Sequence, residues 1–367
     1  MFSSRLEWNL PVNRLSTLLK AKTRVLDLTE SNPTRAGFTY SSEAILGALA
    51  DPRAIEYDPQ PRGLAAAREA VSLYYGDVPQ SRILLTASTS EAYAYLFKLL
   101  CDPGDEILSP RPSYPLFEFL AGLESVRVTK YPLRYDGAWH IDFDALRRAI
   151  TPRTRAIVVV NPNNPTGSFL KREEWTRLEE FGIPILSDEV FCDYSFSSDP
   201  SRVRTLTGAQ NVLTFSMSGL SKVAGLPQMK LGWIAASGPG HKDALERLEL
   251  IADTYLSVAT PVQIALPRIL AESAAVRDQI VARTRANLET LKPACPLHVE
   301  GGWYAILQVP RTKSEEEWAI GLLERRDVLV QPGFYFDLES EAYLVLSLLT
   351  RPEVFEEGRR RILEEIG

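Results

Sequence analysis

Lys222 stands in a run of small and hydroxylated residues, Ser218-Gly219-Leu220-Ser221-Lys222-Val223-Ala224-Gly225, just after the apolar run Val212-Leu213-Thr214-Phe215. An amine at the mouth of a buried strand is partly desolvated. Desolvation lowers its pKa and suits it to attack a carbonyl as a Schiff-base former. The hydroxyls and small residues let backbone approach a phosphate closely. Lys230 adds a second cation eight residues on. Alone, such a segment is ordinarily a solvated loop, but three others change its meaning. Asn161-Pro162-Asn163-Asn164-Pro165-Thr166-Gly167 follows the apolar run Ala156–Val160, and Ile185-Leu186-Ser187 runs into Asp188. Ser88-Thr89-Ser90 heads a helical pattern, where hydroxyls and free N–H groups make an anion site.

These motifs need a frame that brings strand ends together. Leu64–Tyr75 and Ser90–Leu100 read as helices. Arg82–Thr86, Glu106–Ser109, Ala156–Val160, Pro184–Ser187 and Val212–Ser216 read as short buried strands. Strands interleaved with helices predict an α/β fold with a mainly parallel sheet covered on both faces. Ligands in such sheets bind beyond the carboxyl ends of the strands, where all four motifs fall. A short helical pattern over 11–20, an extended Val25–Leu28, amphipathic helices over Leu245–Ile251 and Ser273–Leu291, and strands over Gly301–Leu307 and Tyr343–Leu349 predict a smaller α+β domain.

The 367 residues, 45% of them hydrophobic, bury a large core, and the length predicts two domains. The net charge is −6 with basic residues dispersed, which argues against nucleic acid as a partner. No apolar run approaches membrane-spanning length and none resembles a signal core. Cys101, Cys192 and Cys295 have no paired spacing, and His140, His241 and His298 lie far apart, so no metal site is expected. A reducing cytoplasmic setting is expected from this cysteine usage.

In this order, the segments around Asn164, Asp188 and Lys222 resemble the class I/II aminotransferases, pyridoxal 5′-phosphate enzymes of fold type I. The resemblance covers nearly the whole chain, and NPNNPTG is its most specific motif. It implies a large cofactor-binding domain, 42–240, and a small domain made of 1–41 and 241–367. It implies that Lys222 is the catalytic amine, that Asp188 partners the pyridinium nitrogen, and that Asn164 donates to the phenolic oxygen. Tyr114 matches the residue stacked on the ring. Thr89, Ser90, Ser221 and Lys230 match the phosphate cradle, with Ser88 in place of a family glycine. Tyr57 matches a tyrosine that reaches the phosphate from a neighbouring subunit, which implies a homodimer with shared active sites. The implied partners are an amino acid and a 2-oxo acid.

Besides Ser88, three positions depart from the family pattern. Lys230 replaces an arginine, keeping the charge without its bidentate fork. Phe191 replaces a tyrosine and has no proton to donate. Val345 falls where the family places the arginine that forks the substrate carboxylate. The family's N-terminal segment passes over the active site near Arg35, so the resemblance makes Arg35 one candidate substitute, with Asn32 beside it, and Arg351 is expected at the surface. The expected activity is amino transfer. A C–S lyase or decarboxylase on the same scaffold is the alternative, since fold does not fix reaction. A regulatory cofactor-binding protein would need a DNA-binding segment, and a nicotinamide enzyme a G-x-G-x-x-G turn, which the chain lacks.

Overall fold

A computed structural model describes residues 2–10, 12–340 and 342–367. The first part of the chain runs α1 (Arg14–Lys20), β1 (Leu26–Asp27), α2 (Ser42–Leu49), α3 (Ala65–Tyr74), β2 (Ile83–Thr86), α4 (Thr89–Leu100), β3 (Glu106–Arg111), α5 (Phe117–Leu123), β4 (Arg127–Tyr135), β5 (Trp139–Ile141) and α6 (Phe143–Ala149). It continues as β6 (Thr154–Val160), α7 (Arg172–Glu179), β7 (Ile185–Asp188), β8 (Thr214–Gly219), α8 (Leu220–Val223) and β9 (Gly232–Ser237). The remainder is α9 (His241–Tyr255), α10 (Thr260–Leu291), β10 (Tyr304–Gln308), α11 (Glu315–Arg326), β11 (Val328–Leu329), β12 (Gln331–Pro332), β13 (Tyr343–Ser347) and α12 (Pro352–Ile366). None of the described helices is long and apolar enough to cross a membrane.

Eight strands form one sheet in the order β2-β9-β8-β7-β6-β3-β4-β5. The run β8-β7-β6-β3-β4 is parallel throughout; β9 opposes both of its neighbours, and β5 opposes β4. The α/β fold with a mainly parallel sheet is therefore present. Its central strands β7 and β8 are buried along their whole length because helices cover both faces. On one face Tyr93, Leu96 and Phe97 of α4 meet Phe215, Ile234 and Leu248. On the other, Leu146 and Leu178 pack on Ile157 and Ile185, while Val71 and Leu266 pack on Trp233 and Ile83.

A three-stranded antiparallel sheet, β10-β13-β12, and the parallel pair β1-β11 make a second layered unit. Leu28, Trp318, Leu322, Leu344 and Phe355 form its core, so the segment after α1 packs with the C-terminal part. Pro11, at the head of the helix expected over 11–20, lies outside the described residues; the helix starts at Arg14 behind an Asn13 cap. The helix expected from Ser273 begins at Thr260, because Pro261 sits in its first turn, where a missing N–H costs nothing. The start of α10 packs on the large sheet through Val262 and Leu266, its middle (Val276, Ile280) on Trp303, and its end (Leu291) on the second core.

The two units are stitched along one edge. Glu339 accepts ion pairs from Arg111 and Arg134, each at 3.0 Å, and Lys130 meets Asp337 at 3.1 Å. The Ser113 N–H donates to the Phe336 carbonyl at 2.9 Å, one residue before Tyr114.

Candidate active site

The parallel run ends in a cleft of about 320 Å³. Asp188 is the last residue of β7, and Lys222 follows β8 by three residues. Because β7 and β8 are adjacent and parallel, their ends deliver acid and amine to one place. Eight of the eleven residues expected at a site line this cleft: Thr89, Ser90, Tyr114, Asn164, Asp188, Ser221, Lys222 and Lys230. Tyr57, Asn32 and Arg35 do not.

One end of the cleft is built for an anion. Ser88 caps α4, its hydroxyl accepting the Glu91 N–H at 3.2 Å, which leaves Thr89 and Ser90 at the helix head facing the cleft. Ser221 and Lys230 approach from the other side. Lys230 holds a left-handed backbone at φ 48°, unusual for a residue with a side chain. A Cβ on Gly232 would lie 3.1 Å from the Ser88 backbone and 3.0 Å from the Ser218 carbonyl. Glycine there lets β9 close the two halves of this cradle without pushing them apart by a few tenths of an ångström.

The floor is electrostatic. Burial raises the Asp188 carboxyl to about 6, against the stabilising pull of the Val190 N–H, the Tyr93 hydroxyl and Lys222. Burial lowers the Lys222 amine to about 8, and the Asp188 charge acts in the opposite direction. Lys222 Nζ lies 4.6 Å from the centre of the Trp303 ring and 5.5 Å from that of Phe191. Glu189 points to the opposite side of the sheet. It is fully buried and accepts hydrogen bonds from Ser187, Thr205, Ser216 and the Leu206 N–H.

The adjacent asparagines of NPNNPTG, Asn163 and Asn164, differ in the same way. Asn163 is committed to structure, accepting from Thr166 and donating to the Pro112 carbonyl. Asn164 lines the cleft, and its buried Oδ1 has no protein partner. None of the hydrogen bonds among the described residues uses its Nδ2–H group, so that donor is open to an acceptor oxygen of a bound molecule.

The side facing the second unit is aromatic and hydroxylated. Tyr304 and Ser31 line it, and burial raises the Tyr304 phenol to about 12. Neither was singled out in the sequence; the glycine pair Gly301-Gly302 before Trp303-Tyr304 was the available signal. Asn32 spends its Oδ1 on the Thr34 N–H and hydroxyl, and Arg35 is exposed. Val345 is fully buried against Trp139, Ile306 and Phe336. Arg351 is exposed, with its guanidinium beside Gly37.

Pyridoxal 5′-phosphate fits this donor set. The cradle of helix head, hydroxyls and Lys230 suits a phosphate, the unpaired Asn164 amide suits a phenolic oxygen, and an ionisable acid faces an amine across the floor.

Comparison with known proteins agrees with the geometry. A family model described as "Aminotransferase class I and II" matches residues 23–362. The glutamate-pyruvate aminotransferase AlaA of Escherichia coli is 31% identical, over 67% of this chain and 64% of its own length, so the aligned part spans just under two thirds of that relative. The Haemophilus influenzae protein of the same name is 26% identical over 95% of this chain and 92% of its own. The solved alanine aminotransferase from Pyrococcus furiosus superposes with a TM-score of 0.86 at 25% identity, covering 96% of this chain and 94% of that one. The chain belongs to the class I and II aminotransferases, a family whose cofactor is pyridoxal 5′-phosphate.

Proposed function

We propose that this protein is a pyridoxal-phosphate-dependent aminotransferase that moves an amino group from an amino acid to a 2-oxo acid. The observation that carries the reading is the delivery of Lys222 and Asp188 to one cleft by adjacent parallel strands, beside the helix head at Thr89 and Ser90. When bound, the cofactor supplies an aldehyde that takes the substrate nitrogen and a ring that draws off the electron pair released at the neighbouring carbon. Lys222 is the Schiff-base lysine of this reading. Its depressed pKa gives it a neutral fraction near neutral pH, so it can bond the aldehyde and, once displaced, carry a proton at Nζ. Asp188, ionised above about 6, holds the ring nitrogen's proton. Tyr114 stacks on the ring, Asn164 donates to its phenolic oxygen, and Thr89, Ser90, Ser221 and Lys230 hold the phosphate.

The purified protein, loaded with cofactor, is expected to show a visible band. One amino acid should shift that band to the near ultraviolet, and a 2-oxo acid should restore it. Absence of the shift with all twenty amino acids would reject amino transfer. A C–S lyase or decarboxylase is the second reading, favoured by one observation: the position expected to fork a carboxylate is the buried Val345. Pyruvate, ammonia or carbon dioxide released without a 2-oxo acid would favour it.

A homodimer with shared sites belongs to the same proposal. Tyr57 is 80% exposed beside Ile55, 90% exposed, which leaves an apolar surface for a second copy. Sedimentation at micromolar concentration, and loss of phosphate affinity in Tyr57→Phe, are the checks. A cytoplasmic setting is proposed from the three unpaired cysteines. The division into 42–240 and 1–41 with 241–367 is also proposed; the packing of α9 and the start of α10 on the large sheet argues for moving its boundary into α10.

A further inference from the structure

We propose that Tyr93 is a positioning residue for Asp188: its phenol holds one carboxylate oxygen and so presents the acid, ionised, to the ring nitrogen of a bound cofactor. This rests on the cofactor reading above.

Tyr93 is 2% exposed and donates to Asp188 Oδ2 at 3.1 Å; Asp188 Oδ1 accepts the Val190 N–H at 3.3 Å. These are the hydrogen bonds on the carboxylate among the described residues. The strand neighbours in register, Val160 and Met217, are apolar. From α8 the Lys222 amine faces Asp188, and from the loop before α5 the Tyr114 phenol does. Tyr93 is thus the side chain whose proton favours the charged acid by direct contact. Burial works against that charge, and a donor to the charged form lowers the pKa.

Tyr93 lies four residues after Thr89 on α4, so both project from one face of the helix. The helix whose head faces the phosphate end therefore also grips the acid at the nitrogen end. The Tyr93 ring packs on Phe97 (centroids 5.8 Å apart) and edge-on against Phe117 (5.3 Å), and Phe117 in turn meets Tyr114 at 6.5 Å. Tyr93→Phe keeps all of this packing and removes only the proton donor.

The test titrates apoprotein with pyridoxal 5′-phosphate and with its 1-deaza analogue, in which CH replaces the ring nitrogen, from pH 5 to 8.5. Tyr93→Phe is expected to bind the cofactor about tenfold more weakly at pH 7.5. The pH below which cofactor affinity falls should rise by about one unit, since the acid keeps its proton longer. Affinity for the deaza analogue should stay within about twofold, and Tyr93→Phe should have no further effect in an Asp188→Asn background. Equal weakening toward both ligands, or an unmoved pH limb, overturns the proposal and leaves Tyr93 a packing residue. If wild type binds neither ligand, the cofactor reading itself falls and this proposal with it.

Discussion

The Tyr194 hydroxyl donates to the backbone carbonyl of Lys222 across 2.5 Å. Tyr194 is fully buried and lies six residues beyond the end of β7, so this bond ties the segment after the acid to the loop that carries the amine. Tyr194→Phe should cost about 1 kcal/mol of stability. A loosened amine should also lower kcat by roughly tenfold with a smaller change in KM. Thermal melting and steady-state kinetics measure the two, and an unchanged kcat would show that Lys222 needs no such hold.

Lys222 itself is tested by covalency. Borohydride should fix the cofactor's mass on the peptide containing Lys222 in wild type, and on no peptide in Lys222→Ala. The variant should lose at least about a thousandfold in kcat. Labelling of a different lysine would reassign the amine.

Phe191 packs edge-on to Trp303 at 5.2 Å and offers no proton. Phe191→Tyr should add a donor near the cofactor's phenolic oxygen and spread its negative charge. The midpoint at which the visible band changes with pH should then fall by about one unit. A wild-type midpoint equal to or below that of the variant would sink this account.

Asp188 has a pH signature in the apoprotein. Its folded-state carboxyl titrates near 6, above the ordinary value of 3.8, so the folded chain binds more protons than the unfolded one between those values. Its contribution to stability is complete below about 4 and lost as pH rises through about 6. Asp188→Asn should therefore melt a few degrees above wild-type apoprotein at pH 7.5, with a smaller advantage at pH 5. Its cofactor affinity should fall by about a hundredfold. A melting difference that does not grow with pH would contradict the buried-charge account.

Gly232→Ala probes the cradle. The added methyl would stand 3.0 Å from the Ser218 carbonyl and 3.1 Å from the Ser88 backbone, both rigid. A stability loss of about 1–3 kcal/mol is expected. Affinity for inorganic phosphate should fall with it, as the helix head and Ser221 separate. Calorimetric titration with phosphate checks this directly.

Asp188, Lys222, Asn164 and the Ser88–Ser90 helix head were legible because each is a local pattern, a polar residue placed just past an apolar run. Tyr93 and Tyr304 were not. Each sits inside an ordinary helix or strand, and only tertiary packing brings Tyr304 to the cleft and Tyr93 to Asp188 beneath it. β4 was missed because Arg127, Thr129 and Lys130 interrupt its apolar residues, and the ladder with β3 decides its conformation. The start of α10 was missed because Pro261 and Pro267 read as breakers. The resemblance carries the segment around Arg35 and Asn32 over the active site, whereas the residue of that segment that lines the cleft is their neighbour Ser31.

The 32 residues of α10 form one helix, about 48 Å along its axis at the regular rise, with Pro267 inside it. Its start, middle and end belong to three different apolar clusters. Neither sheet can therefore melt alone without stripping contacts from a helix the other still holds. The helix thus couples the two layers, and damage in one is expected to lower the resilience of both.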